Sequence, residues 1–338
     1  MTTIKHIAQK AGVSPTTVSN VIHGNTARVS PLILEKVRKI LLEENYVPNM
    51  GAVILARNNS RLIGVILFME PRSDQTVLED PFASSILGTL EREIRNQGYF
   101  MLLYTTVDKN EVLRLVATWK LDGLIMLWVP GEVATGIKTS ISTPVVFVDC
   151  YYDDGNDYHN IGLDDEVGGY EMASYLISKG HTKIAFLANS TESPSVDTAR
   201  FSGCQRAVSE QGFALTKDSF ISVPKSRTER HALYHSLIKD PRPYSALFFS
   251  SDYYAADAIT YFNEHDISVP EDISVAGFDD NSFSRLIRPR LTTVHQDVFK
   301  KGQRAVSMLM SLMRKKAVET KDDKLPVRLV IRDSVMQL

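Results

Sequence analysis

Thr16, Ser19, Asn20 and His23 recur at helical spacing, which puts four uncharged hydrogen-bonding side chains on one face of a short helix. Such a face lets a helix backbone approach the floor of the DNA major groove. There an asparagine pairs bidentately with adenine, and threonine methyls meet thymine methyls. The same residues on an isolated helix would serve equally as a solvated surface, so the elements that hold them decide between the two. Ser14 can cap the helix through its hydroxyl, Pro15 suits the first helical position, and Val13 and Val18 stand at the two ends of a hydrophobic staple. Val18, Val21 and Ile22 form the inward face. Upstream, Ile4, Ile7, Ala8 and Ala11 repeat at i, i+3, i+4 and i+7 and run into Gly12, which can take the positive φ of a helix stop. Two helices meeting across a tight turn favour groove reading over a plain solvated face.

A third helix is announced by Ser30-Pro31 as cap and first residue, with Leu34, Val37, Ile40 and Leu41 as its apolar stripe and Asn45 as its stop. So small a core makes the module marginally stable. Residues 1–60 hold seven Lys/Arg against three Glu, a balance of +4, whereas the whole 338-residue chain is −2 and the remainder therefore −6. A basic end on an acidic body is the footprint of phosphate contact at one end only. After Pro48, residues 49–57 could form barely two helical turns, far below the ~12–15 residues at which an isolated helix holds in water. They are expected to order only against a partner, or else to pack on the body as a linker helix.

The head resembles the lactose-repressor/galactose-repressor family of bacterial transcription regulators. The likeness rests on Ile4-Lys5, Ile7-Ala8, Ala11-Gly12-Val13-Ser14, Thr17-Val18-Ser19, Val29-Ser30 and Tyr46-Val47-Pro48-Asn49. Two positions depart from the family's usual pattern: Asn20 replaces an arginine and His6 an acid, so the preferred half-site is this chain's own. The resemblance extends the DNA-contacting set to Thr3, Ser14, Pro15, Thr17 and Ser30 around the helix face, and to Asn49, Ala52 and Leu55 in a hinge helix. In the family that hinge folds on operator DNA, pairs with its twin from a second subunit and pushes a leucine, here Leu55, into the minor groove, where apolar wedges kink the duplex.

From Leu62 onward short apolar runs alternate with amphipathic helices. Strands are expected over 63–68, 100–104, 123–127 and 145–148, with helices over 84–96 and 111–119. A second set begins near Ile161, with strands over 184–187, 220–223, 246–249 and 273–276 and helices over 167–178, 197–211, 229–238 and 254–263. A helix over 299–313 and a closing strand over 327–331 follow. Parallel strands buried on both faces need crossover helices, so two doubly wound parallel sheets are expected. The family likeness continues through Asp80-Pro81-Phe82, Leu121-Asp122-Gly123, Lys179-Gly180-His181, Val269-Pro270-Glu271-Asp272, Gly277-Phe278-Asp279-Asp280 and Leu291-Thr292-Thr293-Val294. It implies two subdomains of periplasmic-binding-protein type joined by three crossings. The expected organisation is a helix-turn-helix headpiece at 1–47, a hinge and linker at 48–60, and an effector-binding and dimerisation body at 61–338. Within the body, one subdomain takes about 61–160 plus 293–324 and the other about 161–292 plus 325–338. The loop 69–79 is several residues longer than usual for the family.

Ligands of such sheets bind at the carboxyl ends of the strands. Matched position by position, the resemblance assigns Asp149, Arg200, Ser251 and Asp279 to the effector, with Phe82 and Trp128 as aromatic platforms. Arginine and carboxylate forks grip vicinal hydroxyls or carboxylates while rings cover the apolar face of a sugar, so a sugar or sugar derivative is the expected effector. Asp279 as a cap of the next segment and Trp128 as core are the plainer alternatives. The run Asp164-Asp165-Glu166 is read as acids facing a helix dipole rather than as metal ligands.

The implied function is a ligand-responsive repressor of carbohydrate-utilisation genes that binds a pseudo-palindromic operator as a homodimer, with the effector between the subdomains. A transport solute-binding protein would share the body but have no use for residues 1–57. An enzyme is disfavoured because no G-x-S-x-G, Gly-Lys phosphate loop, H-E-x-x-H or dinucleotide fingerprint occurs. No metal and no cofactor is expected. No run approaches ~20 apolar residues and Met1-Thr2-Thr3-Ile4-Lys5 is no secretory signal, so no membrane contact and a cytoplasmic location are expected. Cys150 and Cys204 fit a reducing compartment. No heptad leucines follow the closing strand, which agrees with a dimer, and the body leaves room for a regulatory protein partner.

Overall fold

The computed structural model describes residues 2–22, 24–46, 59–70, 76–151, 158–189, 195–212, 215, 219–239 and 243–338, and the chain divides into two units, Met1–Ser60 and Arg61–Leu338. In the first unit, α1 (Ile4–Ala11), α2 (Pro15–Ile22) and α3 (Pro31–Glu43) surround a core of Ile7, Ala8, Ala11, Val18, Val21 and Val37. Gly12 closes α1 at φ 72°, and its N–H reaches the carbonyls of Ala8 and Gln9. Asn45, at φ 44°, ends α3 as its amide side chain permits. His6, in place of the usual acid, lies 3.5 Å from Glu44, which also binds Lys10, so the pair ties α1 to the end of α3. The expected hinge, with Asn49, Ala52 and Leu55, lies outside the described residues, as does His23.

The second unit has two lobes. The first sheet is built from β1 (Leu62–Phe68), β2 (Phe100–Thr106), β3 (Gly123–Leu127), β4 (Val145–Val148), β5 (Asn160–Leu163) and β11 (Asp322–Leu325), in the order β11-β5-β4-β3-β1-β2, all parallel. The second is built from β6 (Ile184–Ala188), β7 (Phe220–Ser222), β8 (Ala246–Phe249), β9 (Ser274–Asp279), β10 (Thr292–His295) and β12 (Arg328–Val330). Its order is β12-β10-β9-β8-β6-β7, parallel except for β12 against β10. Around them run α4 (Pro81–Asn96), α5 (Lys109–Trp119), α6 (Gly131–Ser140), α7 (Asp165–Ser178), α8 (Val196–Glu210), α9 (Arg227–Ile238), α10 (Asp252–Glu264), α11 (Ser282–Leu286) and α12 (Val298–Met313). No helix among the described residues is long and apolar enough to cross a membrane.

Two expected boundaries are corrected, both by one strand. Residues 161–163 belong to the first sheet, because β5 receives the amides of Phe147 and Asp149 on the carbonyls of His159 and Ile161. Residues 293–295 belong to the second, because Thr293 donates to Asp252 and the Thr292 amide donates to Ser334. Each lobe therefore completes five strands before the chain leaves it. The crossings, after Leu163, His295 and Leu325, all start at strand carboxyl ends, beneath the cleft. Helix α6 has no counterpart in the sequence reading, since Gly131, Gly136 and four β-branched residues weaken its intrinsic propensity.

Helices α7 and α8 touch backbone to backbone through Gly169 and Gly203. A Cβ on Gly169 would stand 1.9 Å from the Arg200 carbonyl oxygen, and one on Gly203 would stand 2.0 Å from that of Glu166. This approach sets Arg200 against Asp165. Gly169→Ala should therefore lower stability by about 1–3 kcal/mol through forced helix separation, read as a lower urea midpoint for the full chain. A neutral result would mean that the helices part without loss.

Candidate functional site

Three helix starts frame the candidate DNA face. Thr3 Oγ1 accepts from the His6 amide at 3.3 Å, Ser14 Oγ from the Thr17 amide at 3.1 Å, and Ser30 Oγ from the Ile33 amide at 3.4 Å. Each cap marks a helix N-terminus, the kind of position at which backbone amides and the helix dipole hold phosphates. Ser14, Pro15 and Thr16 are exposed and Thr17, Ser19 and Asn20 half-buried, with Thr16, Ser19 and Asn20 on the side of α2 away from buried Val18 and Val21.

In the body, the lobes enclose a cleft of about 990 Å³ that all six residues assigned to an effector line. Three of them follow or end strands in the left-handed region: Trp128 after β3 at φ 59°, Asp149 after β4 at φ 53°, and Asp279 closing β9 at φ 121°. These are uncommon conformations for residues with a Cβ, retained only where surroundings over-determine them. Phe82 sits in the first turn of α4 behind the Asp80 cap, with ring centroid 6.1 Å from that of Trp128. Trp128 thus packs on the core and fronts the cleft at once. The cap of α11 is Asn281, which leaves Asp279 to the cleft.

Electrostatics organise the cleft floor. Arg200 Nε donates to Asp165 Oδ1 at 2.7 Å and Nη1 to the Ser250 carbonyl at 2.5 Å, while its guanidinium lies 3.5 Å above the Phe278 ring. Asp165 also accepts from the Tyr151 hydroxyl, whose own proton is held by burial and by that charge. Asp165 stands in the first turn of α7, at the helix start expected for it, but its carboxylate also turns inward and is buried, whereas Glu166 stays outside and meets Arg206. Asp149, raised by burial above the usual carboxylate range, is gripped by the ammonium of Lys301 at 2.7 and 2.8 Å. Asp279 accepts from Gln296 Nε2 at 2.6 Å and from Ser251 Oγ at 3.3 Å. Burial pushes Asp279 up to about 7, against the pull of Arg200, with fully buried Asp252 nearby pushed the same way. At the mouth, Lys225 of the second lobe meets Glu70 of the first at 3.3 Å.

Sequence reasoning missed Tyr151, Asp165, Asp252, Gln296 and Lys301. One signal was available: Lys301 lies four residues before Ala305 and seven before Met308, on the apolar stripe of α12, where a cation needs a buried partner.

Residues 3–49 match the profile of the lacI family of bacterial regulatory proteins, and residues 173–335 that of a periplasmic binding protein-like domain. The HTH-type transcriptional repressor PurR of Histophilus somni (strain 129Pt) is 30% identical over 350 aligned residues that cover both chains fully. The lac repressor dimer bound to operator and the anti-inducer ONPF is 27% identical with a TM-score of 0.86, covering 99% of each chain. A CelR–cellobiose complex at 22% identity and a TM-score of 0.72, over 99% of this chain and 100% of that one, shares the fold.

Asp279 makes stability depend on pH with a definite sign. Its folded pKa of about 7 exceeds the ordinary 3.8, so its contribution is full below pH 3.8 and is lost as pH rises through 7. Asp279→Asn should remove a downward slope of at most ~1.4 kcal/mol per pH unit between about pH 4 and 7. Urea midpoints of both proteins at pH 5, 6, 7 and 8 measure it; parallel profiles would place the Asp279 pKa elsewhere.

Proposed function

Because the chain belongs to the lactose-repressor/galactose-repressor family of bacterial regulatory proteins, a family of transcriptional repressors and not of enzymes, we propose that it represses carbohydrate-utilisation genes under control of a neutral sugar. The observation that carries the effector class is the charge of the cleft wall. Among the described residues, Glu70, Asp80, Glu132, Asp149, Asp197 and Asp279 face it against Arg200 and Lys225, alongside the rings of Phe82 and Trp128. Clustered carboxylates repel phosphates and carboxylates but accept hydrogen bonds from hydroxyls, and aromatic faces cover the C–H side of a pyranose. A sugar phosphate would bring two further charges to a wall that is already anionic.

In this reading the head contacts a two-fold symmetric operator as one half of a homodimer. Asn20 and Thr16 read bases, and the caps at Thr3, Ser14 and Ser30 hold phosphates. His23 and the hinge residues Asn49, Ala52 and Leu55 complete the contact, Leu55 as a minor-groove wedge. Effector binding shifts the lobes between two arrangements and moves operator affinity only by its differential affinity for them. Arg200 orders the floor as well as facing the ligand, so its removal would strand buried Asp165 at a cost of about 3–5 kcal/mol. Trp128 and Asp279 are the cleaner probes.

A thermal-shift screen over neutral sugars, sugar phosphates and nucleosides tests the class: a ligand at 100 times its Kd adds about 2.7 kcal/mol. Stabilisation by phosphates or nucleosides alone would overturn it. Trp128→Leu and Asp279→Asn should each leave ligand-free operator affinity within about twofold and shift the sugar response at least about tenfold, as loss of a desolvated polar or aromatic contact does. Mobility-shift titrations with and without the sugar read both. Asn20→Arg should move base preference toward guanine at one symmetric position per half-site, since arginine pairs with guanine O6 and N7. An unchanged binding-site selection profile would place Asn20 off the base edges.

A further inference from the structure

Lys301 is fully buried on α12, and it touches the effector cleft only through other side chains. Its Nζ lies 2.7 and 2.8 Å from the Asp149 oxygens and 2.9 Å from Gln296 Oε1, so its three donors are matched by three acceptors. With Oε1 facing the ammonium, the Gln296 amide must present Nε2 to Asp279, and it does so at 2.6 Å. Gln296 sits in the crossing between β10 and α12, Asp149 directly follows β4 of the first lobe, and Asp279 ends β9 of the second. One cation thus aims two cleft carboxylates across the crossing that joins the lobes. Its ammonium also lies 5.1 Å from the Phe82 ring centroid, and so fixes that platform from behind.

We propose that Lys301 is a positioning residue for the effector, holding Asp149 directly and Asp279 through Gln296 so that both carboxylates receive hydroxyls of one neutral ligand spanning the lobes. This rests on the reading of the cleft as a sugar site. Replacing the ammonium by an apolar chain frees the Gln296 amide to turn its oxygen on Asp279 and leaves Asp149 without its counter-charge. The groups facing Asp279 are Arg200 from α8, Lys301 from α12, Gln296 from the crossing, Ser251 and Asp252 from the start of α10, and Asp80 from the start of α4. Of these, only Arg200 and Lys301 are cations that lower its pKa.

The test uses the full chain as Lys301→Met and as Lys301→Met/Asp149→Asn, the second keeping the site uncharged should the first not fold. In carboxyl-13C aspartate NMR, with the Asp279 signal assigned by its loss in Asp279→Asn, the midpoint should move up from about 7 by half a unit or more in either variant. A purely packing role leaves it in place, and an unmoved midpoint overturns the relay. In a Trp119→Phe background Trp128 is the sole tryptophan, and its fluorescence follows titration with ribose and with cellobiose. The sugar that binds the unsubstituted protein should lose at least about tenfold in affinity, as when a supporting group behind a ligand contact is removed. Operator affinity without sugar should stay within about twofold. A shifted midpoint with unchanged sugar affinity overturns the positioning role. A background protein that answers neither sugar, but does answer a phosphate or nucleoside, refutes the sugar reading and the positioning role built on it, while the midpoint still decides the relay.

Discussion

A carboxylate or ammonium withdrawn from water costs several kcal/mol unless another group compensates it. The body of this protein gathers six such groups, Asp149, Asp165, Arg200, Asp252, Asp279 and Lys301, at the carboxyl ends of its two sheets. Their compensation is not local to either lobe. Tyr151 of the first lobe donates to Asp165 of the second, and Asp149 reaches Asp279 only through Lys301 and Gln296. The geometry between the lobes is therefore bound to the charge balance of the cleft floor.

That dependence gives the fold a physical route from ligand to conformation. On the proposed sugar reading, hydroxyls arriving at Asp149 or Asp279 would enter a network whose members already satisfy one another, so the ligand would compete with, or extend, bonds that span the lobes. Packed interiors respond by switching between discrete arrangements rather than by bending smoothly. The left-handed backbone at Trp128, Asp149 and Asp279 stores strain on the cleft wall. The close crossing of α7 and α8 through Gly169 and Gly203 keeps the arginine end of the network in register.

The head follows a different economy. Its core is six small aliphatic side chains, so helix capping by Thr3, Ser14 and Ser30 contributes a large share of what holds it, typically ~1 kcal/mol for each cap. The same hydroxyls mark helix starts, so stability and the proposed phosphate contact would draw on the same three turns. The link between Lys10, His6 and Glu44 joins the ends of α1 and α3, a role open to His6 because the family's usual acid is absent there.

Local chemistry explains what was legible beforehand. The caps at Ser14 and Ser30, the stops at Gly12 and Asn45, the period of the apolar stripes and most strand positions follow from side-chain spacing and backbone sterics, which act over a few residues. The family resemblance placed Phe82, Trp128, Asp149, Arg200, Ser251 and Asp279 together because it carries a tertiary arrangement that spacing does not contain. The lobe to which β5 and β10 belong was decided by hydrogen bonds to residues distant in sequence, such as Thr293 to Asp252 and Thr292 to Ser334. The inward turn of Asp165 and the burial of Lys301 were decided in the same way. An acid at a helix start looks solvated until an arginine 35 residues away reaches it, and a lysine on an apolar stripe looks misplaced until a carboxylate 152 residues away neutralises it. Sequence alone determined most of the elements that form and the period of their apolar faces. Only tertiary structure decided which charges meet, because compensation of a buried charge depends on distance in space.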